Sequence, residues 1–323
     1  MKFCFVIHRA APFPGGTEQY VQNLAEEAQS RGHEVTILAG LHRGPVNGIR
    51  VTSDQDILRS ERFDLVIVHG STDGPPRDTL DRAAELPSPV LYLLVAHRAE
   101  HIRRKHLGNA QLLGWSTPLD QEAIARAGAT DRAVRVRHGI DPARSLGKPG
   151  FRARYGIASD RLMFLSCGGY AANKRMRALA RTFRRTPGDA LLVTTGYNAQ
   201  RWQMPRGGPR VLPLMLDDRA EVLSAIAEAD CYVMHSRDEG FGLVLLEAML
   251  NRTPWIARRT GGATVLGDFG QTYESDAELR VLLEAFERDV DRVARAERAV
   301  TGGHTIAHCI NDLEAAAARA ESR

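Results

Sequence analysis

Long apolar runs are missing from this 323-residue chain, and nothing in it approaches the length a membrane-spanning helix needs. The opening MKFCFVIHR has one lysine and too short an apolar stretch for a secretory signal, so a cytoplasmic protein is expected. Cysteine is scarce: Cys4, Cys167, Cys231 and Cys309 lie far apart with no C-x-x-C spacing. That pattern favours buried free thiols over a disulfide framework or a zinc site. No G-x-G-x-x-G follows a strand-like run, no G-x4-G-K-[ST] occurs, and no G-x-S-x-G is present. These absences argue against a dinucleotide dehydrogenase, a P-loop NTPase and a nucleophile-elbow hydrolase. There are no solenoid-length repeats and no low-complexity tracts. A formal charge of only +4 does not by itself nominate nucleic acid as a partner.

What is present alternates. Apolar runs at Lys2–His8, Glu34–Ala39, Asp64–His69, Val90–Val95, Leu112–Ser116 and Ala133–Arg137 read as strands with helical stretches between them. The helix after the first strand places Val21, Leu24, Ala25 and Ala28 on one face, with Thr17 as its expected cap. Around His138–Pro142 the pattern breaks, and it restarts with strands at Leu162–Cys167, Ala190–Thr194 and Val211–Leu214. Alternation of this kind predicts parallel sheets with helical crossovers. The length suits two cores better than one. Expected divisions are 1–140, a connection at 141–157, a second domain at 158–305 and a final helix at 306–323. Five histidines, His8, His69, His97, His138 and His235, fall at or just after strand ends, where rim positions of a polar cleft are expected.

Residues 231–257, CYVMHSRDEGFGLVLLEAMLNRTPWIA, carry the densest chemistry. Strand Cys231–Met234, a polar loop and Gly240–Phe241–Gly242 lead into an apolar helix, Leu243–Leu250. A glycine turn at a helix start can present backbone N–H groups to phosphate. Glu239 precedes the turn and Glu247 follows two helical turns later on an otherwise apolar face. Two explanations fit: a surface helix with an ordinary glutamate, or two carboxylates accepting hydroxyls of one ligand whose phosphates sit on the turn.

SRDEGFGLVLLEAM closely resembles the signature of retaining glycosyltransferase family 4. The resemblance implies an α/β GT-B architecture, two Rossmann-like parallel-sheet domains facing a central cleft. It extends to Gly15–Gly16–x–Glu18 and Arg31–Thr36, which match the family's G-G-x-E and R-G-H-E-V-T elements, and to Gly168 and Lys174 of a strand–G-R-x4-K element. Gly169 stands where the family has arginine, and Arg175 or Arg177 are the candidate replacements. Arg252 and Val265 depart from the family's usual glycine and glutamate. Implied donor-binding residues are Gly15, Gly16, Gly168, Lys174, Arg175, Glu239, Gly240, Phe241, Gly242, Leu243 and Glu247. The implied catalytic set is His97, Glu239 and Lys174.

The implied reaction moves a sugar, with retention, from a UDP- or GDP-linked donor to a hydroxyl acceptor, without cofactor or catalytic metal. Asp54–Gln55–Asp56 and Asp289–Val290–Asp291 match a D-x-D metal motif but read as a helix start and a solvated face. The basic run after His97, including Arg98, Arg103, Arg104 and Lys105, together with Glu18, is the expected acceptor side. Its apolar content is too thin for membrane insertion, so peripheral membrane contact is not expected. An anionic acceptor fits it: a phosphorylated glycan or lipid, a small metabolite, or a modified DNA base, which leaves nucleic acid open as a partner. A non-catalytic nucleotide-sugar- or nucleic-acid-binding protein on the same fold is the alternative.

Overall fold

Phe3–Ile7 is apolar at every position, the composition of a strand buried on both faces rather than on one. In a computed structural model these residues lie in β1 (Lys2–Arg9), and Phe3 to Ile7 are buried. The structure describes residues 1–13, 15–70, 74–94, 104–197 and 201–322. The chain divides into two units, 1–140 with 304–323, and 141–303.

In the first unit, β1 is followed by β2 (Glu34–Leu41), β3 (Arg50–Thr52), β4 (Leu65–His69), β5 (Val90–Leu93), β6 (Leu112–Trp115) and β7 (Ala133–Arg135). They form a seven-stranded sheet in the order β3-β2-β1-β4-β5-β6-β7. Every pairing is parallel, with Phe3 opposite Val35 on one side and Leu65 on the other. The helix Gly16–Ser30 buries Tyr20, Val21, Leu24, Ala25 and Ala28 at the expected spacing. It begins two residues earlier than the Thr17 cap predicts, and Gly15 is its N-cap, with no side-chain capping bond.

The helix Ile306–Glu321 completes this unit. Its buried face is Ile306, Cys309, Ile310, Leu313, Ala316 and Ala317. Ile306 N donates to Ile140 O at 3.0 Å, and Arg137 pairs with Asp312 at 2.6 Å. Gly139 has to be glycine here, because a Cβ would run into the backbone of Thr305.

The second unit contains β8 (Met163–Cys167), β9 (Leu191–Gly196), β10 (Val211–Met215), β11 (Cys231–Met234), β12 (Trp255–Arg258) and β13 (Gln271–Tyr273). Their order is β10-β9-β8-β11-β12-β13, again all parallel. Phe164, Leu192, Val233, Ile256 and Leu279 share one buried cluster beneath it. Residues 141–157 pack into this unit: Gly147 N donates to Asn251 at 2.8 Å, and Gly150 N and Arg152 N donate to the Glu228 carboxylate.

Two strands were not foreseen, β3 and β13, which are three-residue sheet edges. So short a run carries almost no period. Among the described residues no helix is long and apolar enough to cross a membrane.

Candidate active site in the second unit

In an open parallel sheet, ligands bind beyond the strand ends where the chain reverses its winding direction. In the second unit that point lies between β8 and β11, the two strands on either side of the reversal. The loops leaving them diverge, and the candidate residues fall in those loops.

After β8 the chain passes through Gly168, whose φ of 140° disfavours any side chain. Tyr170 anchors the loop, its buried hydroxyl 2.9 Å from the carbonyls of Thr194 and Leu214. A short turn, Ala172–Lys174, then leads to Arg175 in the left-handed region and the helix Met176–Phe183. After β11 come His235 to Glu239. Arg237 N donates to Asn173 O at 2.8 Å and Asn173 Nδ2 to Asp238 O at 3.2 Å, which locks the two loops together.

That locking sets the central contact. Lys174 Nζ lies 2.6 Å from Glu239 Oε2, with the two side chains 25% and 12% exposed. Burial works to lower the lysine's pKa, but the Glu239 carboxylate outweighs it and holds the pKa above the ordinary lysine value. Lys174 is therefore a fixed cation at neutral pH.

Gly242 turns the chain into the helix Leu243–Leu250 with φ 81° and ψ 63°, a left-handed conformation that favours glycine. Gly261 lets the turn be packed from behind, since a Cβ there would sit 2.5 Å from Gly240 O. Gly262 N adds a 2.7 Å bond to Phe241 O. The first-turn N–H groups of such a helix have no intrahelical acceptors, so the 241–243 backbone presents donors and the positive dipole end together.

Glu247 is 4% exposed. Its Oε1 accepts from Arg219 Nη2 at 2.6 Å, whereas Oε2 is buried without a hydrogen-bond partner among the described residues. An uncompensated buried carboxylate oxygen is costly, and native structures rarely leave one without a reason. Burial lowers the Arg219 pKa, and Glu247 more than restores it. Arg219 begins the helix Arg219–Glu228 after β10.

Arg219 was not foreseen, although it follows a strand's carboxyl end as a site residue should. Arg175 and Arg177, the candidate replacements for the missing arginine, are both engaged elsewhere. Arg175 lies 3.5 Å from Asp276, and Arg177 donates to Trp202 O at 2.7 Å.

His235 is buried rather than at a rim. Its Nδ1 is 2.6 Å from the Tyr273 hydroxyl, and burial, then the Arg175 guanidinium, push its pKa down to about 4. His69 and His138 of the first unit are likewise buried, His138 stacked on Tyr20 and His69 tilted against it. Strand ends in a tight sheet face packed neighbours as often as solvent, which the position of a histidine cannot show.

The first unit's candidates are differently placed. Glu18 folds back over Gly15 and pairs with Arg9 at 2.7 Å, so a carboxylate of the same helix already answers the dipole beside Gly15 and Gly16. Lys105 pairs with Asp81 at 3.0 Å, and the buried His106 contacts the same carboxylate. His97, Arg98 and Arg103 lie outside the described residues, as does the side chain of Arg104. Asp54 and Asp56 form a local turn, with Asp56 N donating to Asp54 Oδ1, and Asp289 accepts from Arg292 N. Among the described residues, no group of three or more His, Cys, Asp or Glu could hold a metal ion.

The lysine–glutamate pair, the glycine turn and the second carboxylate all lie within residues 151–268, and that span matches the family described as glycosyl transferases group 1. Over those residues the chain is similar to the group 1 glycosyl transferases. The group 1 match spans the strand reversal and every second-unit candidate named above.

The fold of the chain is that of the GT-B glycosyltransferases. HepE of Anabaena, in complex with UDP-glucose, superposes with a TM-score of 0.75 at 18% identity over 100% of both chains. Sucrose-phosphate synthase from Thermosynechococcus elongatus gives 0.71 at 15% identity over 99% of this chain and 97% of its own. The catalytic domain of starch synthase IV from Arabidopsis thaliana, bound to ADP and acarbose, gives 0.72 at 13% identity over 100% and 99%. Comparison with curated proteins finds no match in sequence.

Proposed function

We propose that the chain is a retaining, metal-independent glycosyltransferase of the family 4 type that draws a sugar from a UDP- or GDP-linked donor. The observation that carries this reading is the divided Glu247 carboxylate: one oxygen is held by Arg219, and the other is buried and unmet among the described residues. A ribose hydroxyl is the group such an oxygen suits, as a donor that needs a strong acceptor. The 241–243 backbone and Lys174 would then meet the diphosphate, and Glu239 the transferred sugar. That HepE is seen with UDP-glucose supports a nucleotide-sugar donor.

The proposal keeps His97 as a catalytic residue and Gly15 and Gly16 as donor contacts on the strength of the resemblance. It keeps the acceptor as a hydroxyl, anionic if Arg98, Arg103 and Arg104 serve it, and the location as cytoplasmic. UDP, GDP, UDP-glucose and GDP-mannose, each at about 100 times its Kd, should include one that raises stability by about 2.7 kcal/mol in a melting experiment. If none shifts the melt at millimolar concentration, the donor reading fails. Anomeric configuration of the product, read by NMR, tests retention.

One observation favours the non-catalytic alternative. Gly169 leaves the missing arginine's place without charge and Arg175 pairs with Asp276 at 3.5 Å, so among the described residues the diphosphate clamp rests mainly on Lys174. Gly169 offers the test. A Cβ there would meet Tyr197 O at 3.6 Å, an ordinary contact, and no positive φ forbids a side chain. Gly169→Arg should therefore change stability by less than about 1 kcal/mol and tighten UDP binding about tenfold by calorimetry. Weaker binding in a folded variant would show that the loop meets phosphate in another way.

A further inference from the structure

The second unit also carries an arginine-rich face on the helix Met176–Phe183 and the segment that follows β9. Between residues 171 and 216 Asp189 is the only acidic residue, while arginines recur. On the helix Met176–Phe183 and its continuation, Arg177, Arg181, Arg184 and Arg185 are exposed at spacings of three to four. Two guanidinium-to-carbonyl bonds tie residues 202–206 to that helix and its continuation. Arg177 donates to Trp202 O, and Arg184 to Arg206 O. Arg210 closes the far end, its guanidinium 5.1 Å from the Phe183 ring centre.

Among the described residues none of these arginines is ion-paired; those that bond do so mainly to neutral carbonyls. The six named arginines alone exceed the +4 of the whole chain, so the rest of the molecule is net acidic. Trp202, within this arginine field, is 63% exposed.

We propose that this face binds single-stranded nucleic acid, the arginines on phosphates and Trp202 stacked on a base. Uncompensated guanidinium groups beside an exposed aromatic are what a flexible polyanion with π-faces needs. An anionic membrane fits less well, because one tryptophan does not make the broad apolar face that insertion requires. The inference stands on this surface alone and does not depend on the donor reading.

The test is fluorescence anisotropy of a labelled mixed-sequence DNA single strand against the full chain, titrated across salt. Binding should weaken steeply with salt. Arg181→Glu with Arg185→Glu should lower affinity at least about tenfold and flatten the log–log salt slope by about 1 to 2. Both side chains are exposed, and among the described residues neither makes a hydrogen bond or ion pair, so the variant should fold. Trp202→Ala should weaken binding by about fivefold or more and remove the tryptophan quench seen on binding. UDP-induced stabilisation should persist in both variants. Affinity unchanged in either variant overturns the proposal. So does capture by phosphatidylglycerol vesicles with no binding to the oligonucleotide.

Discussion

Glu247→Gln should sharply reduce donor-induced stabilisation while leaving the protein folded. The side chain is buried, but its partner Arg219 is 44% exposed, so water can take over the guanidinium when the charge is lost. Gln has the same shape and can keep an oxygen towards Arg219 Nη2. Its amide nitrogen then occupies the place of Oε2 and cannot accept from a hydroxyl. Hydrogen bonds to a charged group are worth about 1.5–3 kcal/mol, so donor affinity should fall about tenfold to a hundredfold. At a concentration of about 100 times the wild-type Kd, a hundredfold loss shrinks the stabilisation from about 2.7 to about 0.4 kcal/mol. A nucleotide lacking its ribose hydroxyls separates contact from scaffold: it should bind wild type and Glu247→Gln equally. An undiminished UDP shift in Glu247→Gln would remove Glu247 from the ribose site.

How much of this could be read without coordinates depends on how local each feature is. The turn at Gly240–Gly242 and the helix Leu243–Leu250 are set by neighbours in sequence, and their expected bounds coincide with the observed helix. Lys174 was named as a donor residue, but its pairing with Glu239 joins positions 65 residues apart. That pairing depends on β8 and β11 being neighbours, a fact about sheet order that periodicity does not contain. Arg219 was missed for the same reason: it reaches Glu247 only because the helix after β10 lies near the helix after β11. Glu18 shows the same limit from the other side. Its motif is local, but the closure over Gly15 and the bond to Arg9 are tertiary. The edge strands β3 and β13 are held by pairing with β2 and β12, with too few residues to declare themselves.

Lys174→Ala should cost about a hundredfold to a thousandfold in kcat, the loss expected when one fixed charge facing a developing negative charge is removed. Departure of a nucleoside diphosphate concentrates charge on its terminal phosphate, and a cation held in place beforehand stabilises that charge without reorganising. Glu239 does the holding at 2.6 Å. Because Glu239 keeps the Lys174 pKa above its ordinary value, the ammonium persists through neutral and mildly alkaline pH. With Glu239 ionised, the stability linked to the lysine's raised pKa is complete below the ordinary lysine range and is lost as pH rises through the raised value. The rate ratio of wild type to Lys174→Ala should accordingly be flat between about pH 6 and 9.

A merely structural lysine would act differently, and the nucleotide series shows how. If Lys174 meets the terminal phosphate, Lys174→Ala should weaken UDP while leaving UMP binding unchanged, whereas a collapsed loop would weaken both. Lys174→Arg should recover part of kcat, because the charge returns on a differently shaped donor. Equal loss of UMP and UDP, with no recovery in the arginine variant, would reduce Lys174 to the partner that keeps Glu239 in place.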